Sequence, residues 1–402
     1  MAVRPARIAG ATALALVSLS LAACSEGSGL PGTADAKTAD ETTPAAAPQT
    51  QAELATNLPK NTNAVPVDTL LEVSATDASL RKVTVTSEAG DLPGEVSADR
   101  STWTAGDRLE PGTSYTVTTV AEGADGDPLR DRGTFTTQAL TLDEQTYPSV
   151  APLQGETVGV GMPVIVSFDV PVTDKAAFEK NMNVTSTPRQ PGSWSWMSDN
   201  EAHWRPKTYW KAGTKVSVDV DVNGVAAGNG IYGQEDREVD FEVGDAHIYR
   251  VDASTYQMKV FSNGKLLRTI PVTTGKPGFT TRSGVKVIME KFDSKRMNSE
   301  TVGIPQGSSE AYDIDNVQWA MRVTNSGEFI HAAPWSVGSQ GYANVSHGCT
   351  GLSPANAGWL YSMTMRGDVV EYTGTDRPME PGNGYADWNV SFGEYKQGSA
   401  LS

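Results

Sequence analysis

The chain has 402 residues, more than one hydrophobic core usually organises, so two to four domains are expected. Its formal charge is -16 at pH 7, which argues against nucleic acid or anionic lipid headgroups as partners. Only two cysteines are present, Cys24 and Cys349, which is too few for a disulfide scaffold.

Residues 1–23 read as a bacterial export signal. Arg4 and Arg7 supply a positive start, an apolar run of small residues follows, and Leu21-Ala22-Ala23 leads into Cys24. That pattern fits a lipoprotein signal, in which Cys24 becomes the lipidated first residue. The expected location is therefore the extracytoplasmic face of the plasma membrane, with a lipid anchor at Cys24 as the membrane contact. Residues 24–62 are rich in Ala, Thr, Pro, Gly and Glu and read as a disordered tether.

Residues 63–138 and 139–244 show short alternating strands between Gly, Asp and Pro turns. Examples are Lys82-Val83-Thr84-Val85-Thr86 and Lys215-Val216-Ser217-Val218-Asp219-Val220. Trp103 and Trp204 are 101 positions apart, as are Gly112 and Gly213, and each glycine lies in a turn that opens a long alternating strand. The reading is mainly β, with two immunoglobulin-like sandwiches in tandem.

Residues 245–373 differ. Met258 to Leu266 reads as a hairpin with an Asn263-Gly264 turn. Ser353 caps a short helix that has Pro354 at its first position. A strand returns at Asp368-Val369-Val370-Glu371-Tyr372. Residues 374–402 contain Asp387-Trp388-Asn389 and Phe392, too aromatic for disorder, and are expected to fold back onto this last domain.

Cys349 stands in Ser346-His347-Gly348-Cys349, with His331 eighteen residues upstream. A lone thiol in an exported protein is open to oxidation, so a nucleophile is the simplest reason to keep it. His347 and His331 are candidate bases. An imidazolium beside a thiol favours the thiolate at neutral pH, and backbone N–H groups near the nucleophile could hold an oxyanion. Gly348 permits close backbone approach, and Ser346 and Asn344 are polar neighbours. One thiol and two histidines make a poor metal set, so no metal is expected. The residues themselves point to acyl transfer by a thiol.

His331-Ala332-Ala333-Pro334-Trp335-Ser336-Val337-Gly338, followed by Ser346-His347-Gly348-Cys349, resembles the active-site signature of the YkuD-family L,D-transpeptidases, in particular the actinobacterial lipoprotein type. The resemblance runs over residues 245–373. It implies a catalytic β-sandwich with few short helices and an enzyme acting on peptidoglycan stem peptides without a cofactor. Cys349 would attack the carbonyl of diaminopimelate in a donor tetrapeptide, release D-alanine and leave a thioester. A second stem's diaminopimelate amine would resolve it to a 3→3 cross-link. His331 would be the base, and His347 would orient the Cys349 loop or support the oxyanion. Tyr312, Ser326, Gly327, Met297 and Trp335 would contact substrate, as would Ser346, Gly348 and Gly351. Carbapenem β-lactams would acylate Cys349.

Three departures stand out. Ala332 replaces a common serine, Gly351 replaces a usual asparagine, and one extra residue separates Tyr312 from His331. In the second sandwich, residues 228–233 resemble a calcium-holding loop, but Ala226 and Asn229 replace its acidic ligands, so no calcium is expected. An L,D-carboxypeptidase, with water as acceptor, uses the same residues. A non-catalytic wall-binding lipoprotein would use the sandwiches alone and leave Cys349 and His331 unexplained.

Overall fold

A computed structural model describes residues 51–402. The signal segment, Cys24 and most of the tether lie outside the described residues. Among the described residues no helix is long and apolar enough to cross a membrane.

The first sandwich starts earlier than the composition suggests. Glu53–Thr56, inside the expected tether, is a strand paired antiparallel with Glu72–Thr76. Leu54 and Leu58 pack against the core, and the Asn61 N–H donates to the Thr134 carbonyl at 3.0 Å. Pairing at a sheet edge satisfies backbone groups whatever the side chains are, so a segment with few apolar residues can still be ordered. The two four-stranded sheets of this module enclose Leu71, Val73, Leu80, Trp103, Leu109, Tyr115 and Phe135.

The second module repeats the plan, with Trp204, Trp210, Phe178 and Phe241 in its core. The internal repeat has a physical basis. Trp103 lies over Gly94 and Trp204 lies over Gly192, both glycines being on the neighbouring strand, and a Cβ at either glycine would collide with the indole. Gly112 (φ +58) and Gly213 (φ +74) both take left-handed backbone at the turn before a long strand.

The last domain has a five-stranded sheet, ordered Lys265–Pro271, Gln257–Ser262, His247–Asp252, Val369–Thr373 and Gly284–Val287. The Asn263-Gly264 turn joins the first two strands of this order, with φ +49 and +80. A four-stranded sheet, Glu290–Asn298, Asp313–Arg322, Phe329–Ala332 and Thr350–Leu352, contributes to the same core. Helix Pro354–Met363 packs on it, with the Ser353 side chain accepting from the Asn356 N–H.

The C-terminal segment does not pack on the last domain alone. It straps that domain to the second sandwich. Asn389 Nδ2 donates to the Val285 carbonyl of the last domain at 2.7 Å. On the other side the Arg205 guanidinium lies among Trp388, Phe392 and Tyr395, and Trp388 Nε1 donates to the Gly161 carbonyl at 2.8 Å. The aromatic residues find their apolar and cationic partners on the sandwich, which explains both their number and their direction.

Candidate active site

Strands Phe329–Ala332 and Thr350–Leu352 run parallel, with His331 level with Gly351. Residues two apart on a strand share a face, so Cys349 and Gly351 face the same way as His331. Gly351 contributes no side chain between them, and all three line one cavity of about 300 Å³. The parallel pairing also requires a long connection, and that connection carries Trp335, Ser346 and His347, which line the same cavity.

His331 is 5% exposed, and its Nδ1 lies 2.8 Å from the Ala332 carbonyl. A carbonyl only accepts, so Nδ1 carries the proton and Nε2 is left as the basic nitrogen of a neutral ring. Burial pushes the imidazole below its ordinary value. Cys349 is half-buried, and desolvation of its sulfur pushes the thiol up to about 11. A backbone hydrogen bond from Phe329 opposes that rise, the Glu328 carboxylate adds to it and the Lys286 ammonium opposes it. The expected thiolate–imidazolium pair is therefore corrected: with the site desolvated, the resting state is a neutral thiol and a neutral imidazole.

His347 Nε2 is 2.7 Å from Glu310 Oε2, and Glu310 is also ion-paired to Lys276. The ring is flanked by Phe279 at 4.7 Å and Tyr312 at 5.1 Å between centroids. This seat suits orientation of the loop. Ser346 Oγ donates to the Cys349 carbonyl at 2.6 Å and accepts from the Gly348 N–H at 3.1 Å, so Ser346 closes the turn that carries Cys349. That Gly348 N–H is therefore already committed and does not serve as a free oxyanion donor. Gly348 itself takes φ +123, which favours glycine, and its carbonyl accepts from Thr281 Oγ1 at 2.7 Å. Asn344 ties the loop down, accepting from Thr274 N–H at 2.9 Å and donating to the Ala253 carbonyl at 2.9 Å.

Tyr312 and Met297 line the cavity. Burial and the nearby Cys349 charge push the Tyr312 phenol up to about 12. A bulge between Ile314 and Val317, with Asn316 at φ +57, takes up an additional residue on that strand, and Tyr312 still reaches the pocket. Trp335 is 57% exposed and forms a rim, its ring 5.8 Å from that of His331. Gly327 touches Cys349 through its carbonyl, which accepts from Cys349 Sγ at 3.7 Å. Ser326 does not line the cavity. Its N–H and hydroxyl are held by Asn383 of the C-terminal strap at 2.9 and 3.0 Å.

The departures at Ala332 and Gly351 have structural reasons. Ala332 points away from His331 into the apolar core beside Leu352, where a methyl group fits. At Gly351 a Cβ would sit 2.9 Å from Ala333 Cβ and 3.0 Å from Thr273 Cγ2, so the space for a side chain is already filled. Sequence reasoning assigned no role to Glu310, Lys276, Glu328 and Lys286, whose partners lie far away in the chain. Among the described residues, one His, Cys, Asp or Glu group brings ligand atoms close enough for a metal: Asp107, Asp221 and Asp236, all exposed and none lining the cavity. His203 and His247 pair with Asp387 and Asp368 at 2.8 and 3.1 Å, as buried structural pairs.

Residues 62–226 match the bacterial Ig domain family model, and residues 246–371 match the YkuD model, an L,D-transpeptidase catalytic domain. The chain is 36% identical over 338 residues to L,D-transpeptidase 2 of Mycobacterium tuberculosis, covering 84% of this chain and 82% of that protein. It is 42% identical over 226 residues to L,D-transpeptidase 1 of the same species, covering 56% of this chain and 84% of the relative. A solved structure of the transpeptidase LdtMt1 in complex with imipenem superposes with TM-score 0.50 at 42% identity, over 56% of this chain and 97% of that one. The chain belongs to the L,D-transpeptidase family, with an immunoglobulin-like region ahead of a YkuD catalytic domain.

Proposed function

We propose that this transpeptidase forms 3→3 cross-links between peptidoglycan stem peptides through a thioester on Cys349. The observation that carries the reading is the shared cavity of Cys349 and His331, with the His331 Nε2 left basic by the Nδ1 contact to Ala332. In the first half-reaction the Cys349 proton passes to His331 Nε2 as Sγ attacks the carbonyl of the donor's third residue. The C–N bond then breaks, and the departing D-alanine amine takes that proton. The thioester keeps the acyl group activated, so no cofactor is needed. In the second half the acceptor's diaminopimelate amine attacks the thioester and gives its proton to His331, which returns it to the Cys349 sulfur.

The cavity of about 300 Å³ suits an extended peptide segment, and the exposed Trp335 offers an apolar rim. The imipenem complex of the relative supports carbapenems as acylating inhibitors of Cys349. Export and anchoring through lipidated Cys24 complete the proposal and rest on the sequence alone. Loss of fatty-acid labelling in Cys24→Ala would support the anchor, and retained labelling would remove it.

The deciding experiment is mass spectrometry of the protein incubated with a disaccharide-tetrapeptide, beside Cys349→Ala. A cross-linked dimer lacking one D-alanine, absent in the variant, is the expected result. Tripeptide alone would make it a carboxypeptidase. An active Cys349→Ala protein would overturn the mechanism.

A further inference from the structure

Beneath the nucleophile turn lies a charged group that the acyl-transfer steps do not use. Lys286 is 0% exposed and Glu328 is 5% exposed. Lys286 Nζ is ion-paired with Glu328 Oε2, and the ammonium lies 3.9 Å from the Tyr372 ring centre. Glu328 Oε1 accepts from the Arg282 backbone N–H and from Arg282 Nη1, each at 3.1 Å. A core ion pair is a costly way to fill space, because both charges lose their hydration.

Its position relates it to the thiol. Glu328 follows Gly327, whose carbonyl accepts from Cys349 Sγ, and precedes Phe329, whose backbone hydrogen-bonds that sulfur. A Cβ on Gly348 would lie 3.6 Å from Glu328 Cγ and 3.8 Å from Glu328 Oε1, so the carboxylate lies directly against the turn. Two further phenols, Tyr312 and Tyr372, sense the Cys349 charge, and His331 shares its cavity. The carboxylate opposes a thiolate at Cys349 and the ammonium favours one, with little water between them to screen either.

We infer that Glu328 and Lys286 are a positioning pair that sets how readily Cys349 gives up its proton. Glu328 adds to the desolvation that keeps the thiol neutral between turnovers, so that attack waits for a bound substrate and His331, and Lys286 limits that hold. The inference rests on the reading of Cys349 as the nucleophile. It differs from a packing role because the two members push the thiol in opposite directions.

The test is the pH dependence of iodoacetamide alkylation in the full chain carrying Cys24→Ala, so that one thiol reports. The thiolate displaces iodide, and the rate follows the ionised fraction. Glu328→Gln should move the profile to lower pH and raise the rate at pH 8 about tenfold, one unit of thiol pKa. That sign holds whether or not Lys286 keeps its proton, since the Glu328 charge acts on the thiol more strongly than the Lys286 charge does. Lys286→Met should move the profile to higher pH by a smaller amount. The double variant Glu328→Gln/Lys286→Met leaves no lone buried charge and guards against misfolded single variants. Its profile should move to lower pH, by less than that of Glu328→Gln. Superposed profiles, or single variants shifting the same way, would overturn the inference. Cross-linking by Cys349→Ala, assayed separately, would instead remove the nucleophile reading on which the inference stands.

Discussion

Glu310 holds His347 from outside the nucleophile's own segment, carboxylate Oε2 to imidazole Nε2 at 2.7 Å, and is itself held by Lys276. The ring beside Cys349 is thus aimed by a residue 37 positions upstream of it in the chain. Because Glu310 is about one-third exposed, its loss should cost little stability and act through geometry. Glu310→Ala should lower kcat/KM by about tenfold to a hundredfold with an almost unchanged Tm. Glu310→Gln, which keeps an acceptor, should recover part of the loss. Paired kinetics and thermal melts check this, and a fall in Tm that accounts for the lost activity would make the contact merely structural.

The neutral resting pair fixes the pH profile of acylation. Protonated His331 cannot accept the thiol proton, and burial places its pKa below 6.5. The acid limb of kcat/KM should therefore lie below pH 6.5. The thiol at about 11 should leave the rate level through neutral pH. A resting ion pair would put the imidazole's titration above 6.5 instead. Carbapenem acylation in single turnover measures this half-reaction without an acceptor. His331→Gln should slow it by about 10² to 10⁴.

Restoring the family's asparagine at position 351 should harm this chain. The added Cβ would press on Ala333 and Thr273 at 2.9 and 3.0 Å. Gly351→Asn should destabilise by about 1–3 kcal/mol, the usual cost of overpacking. Adding Ala333→Gly should relieve part of it by removing the nearest atom. Denaturant unfolding of the single and double variants gives the coupling. Full stability in Gly351→Asn would show that the pocket wall yields easily.

The strap should loosen at alkaline pH. Burial alone would lower the His203 pKa, but Asp387 and Glu201 override that and raise it to about 9. A folded value above the unfolded 6.5 means that its stabilisation is complete below pH 6.5 and lost as pH rises through about 9. Its size is on the order of 3 kcal/mol for the pair. Asp387→Asn should remove this dependence. Tm measured from pH 6 to 9.5, with proteolysis of the last sixteen residues as a local probe, tests it. A pH-independent Tm in the unsubstituted protein would contradict the assignment.

Local pattern was legible wherever the chemistry was local. Alternation in Lys215–Val220 reads as a half-buried strand because its period matches the pleat. Ser353 and Pro354 read as a helix start because capping is settled within four residues. Composition misled at Glu53–Thr56, where a sheet edge ordered a segment with little to bury. It also left open where Trp388 and Phe392 would go, because a cluster of aromatics announces burial but not the surface that receives it.

The motif around Cys349 and His331 pointed to the family from the sequence by itself, since both residues lie on one short stretch with its own signature. Their protonation states were decided only by the fold. Desolvation and the charges of Glu328 and Lys286 reach Cys349 from distant parts of the chain, and the Ala332 carbonyl chooses the His331 tautomer through backbone geometry. A pKa depends on every charge and dipole within several ångströms, whereas a motif records only neighbours in the chain. For that reason the sequence singled out Cys349 as the candidate nucleophile, and the tertiary structure set the surroundings that govern its charge.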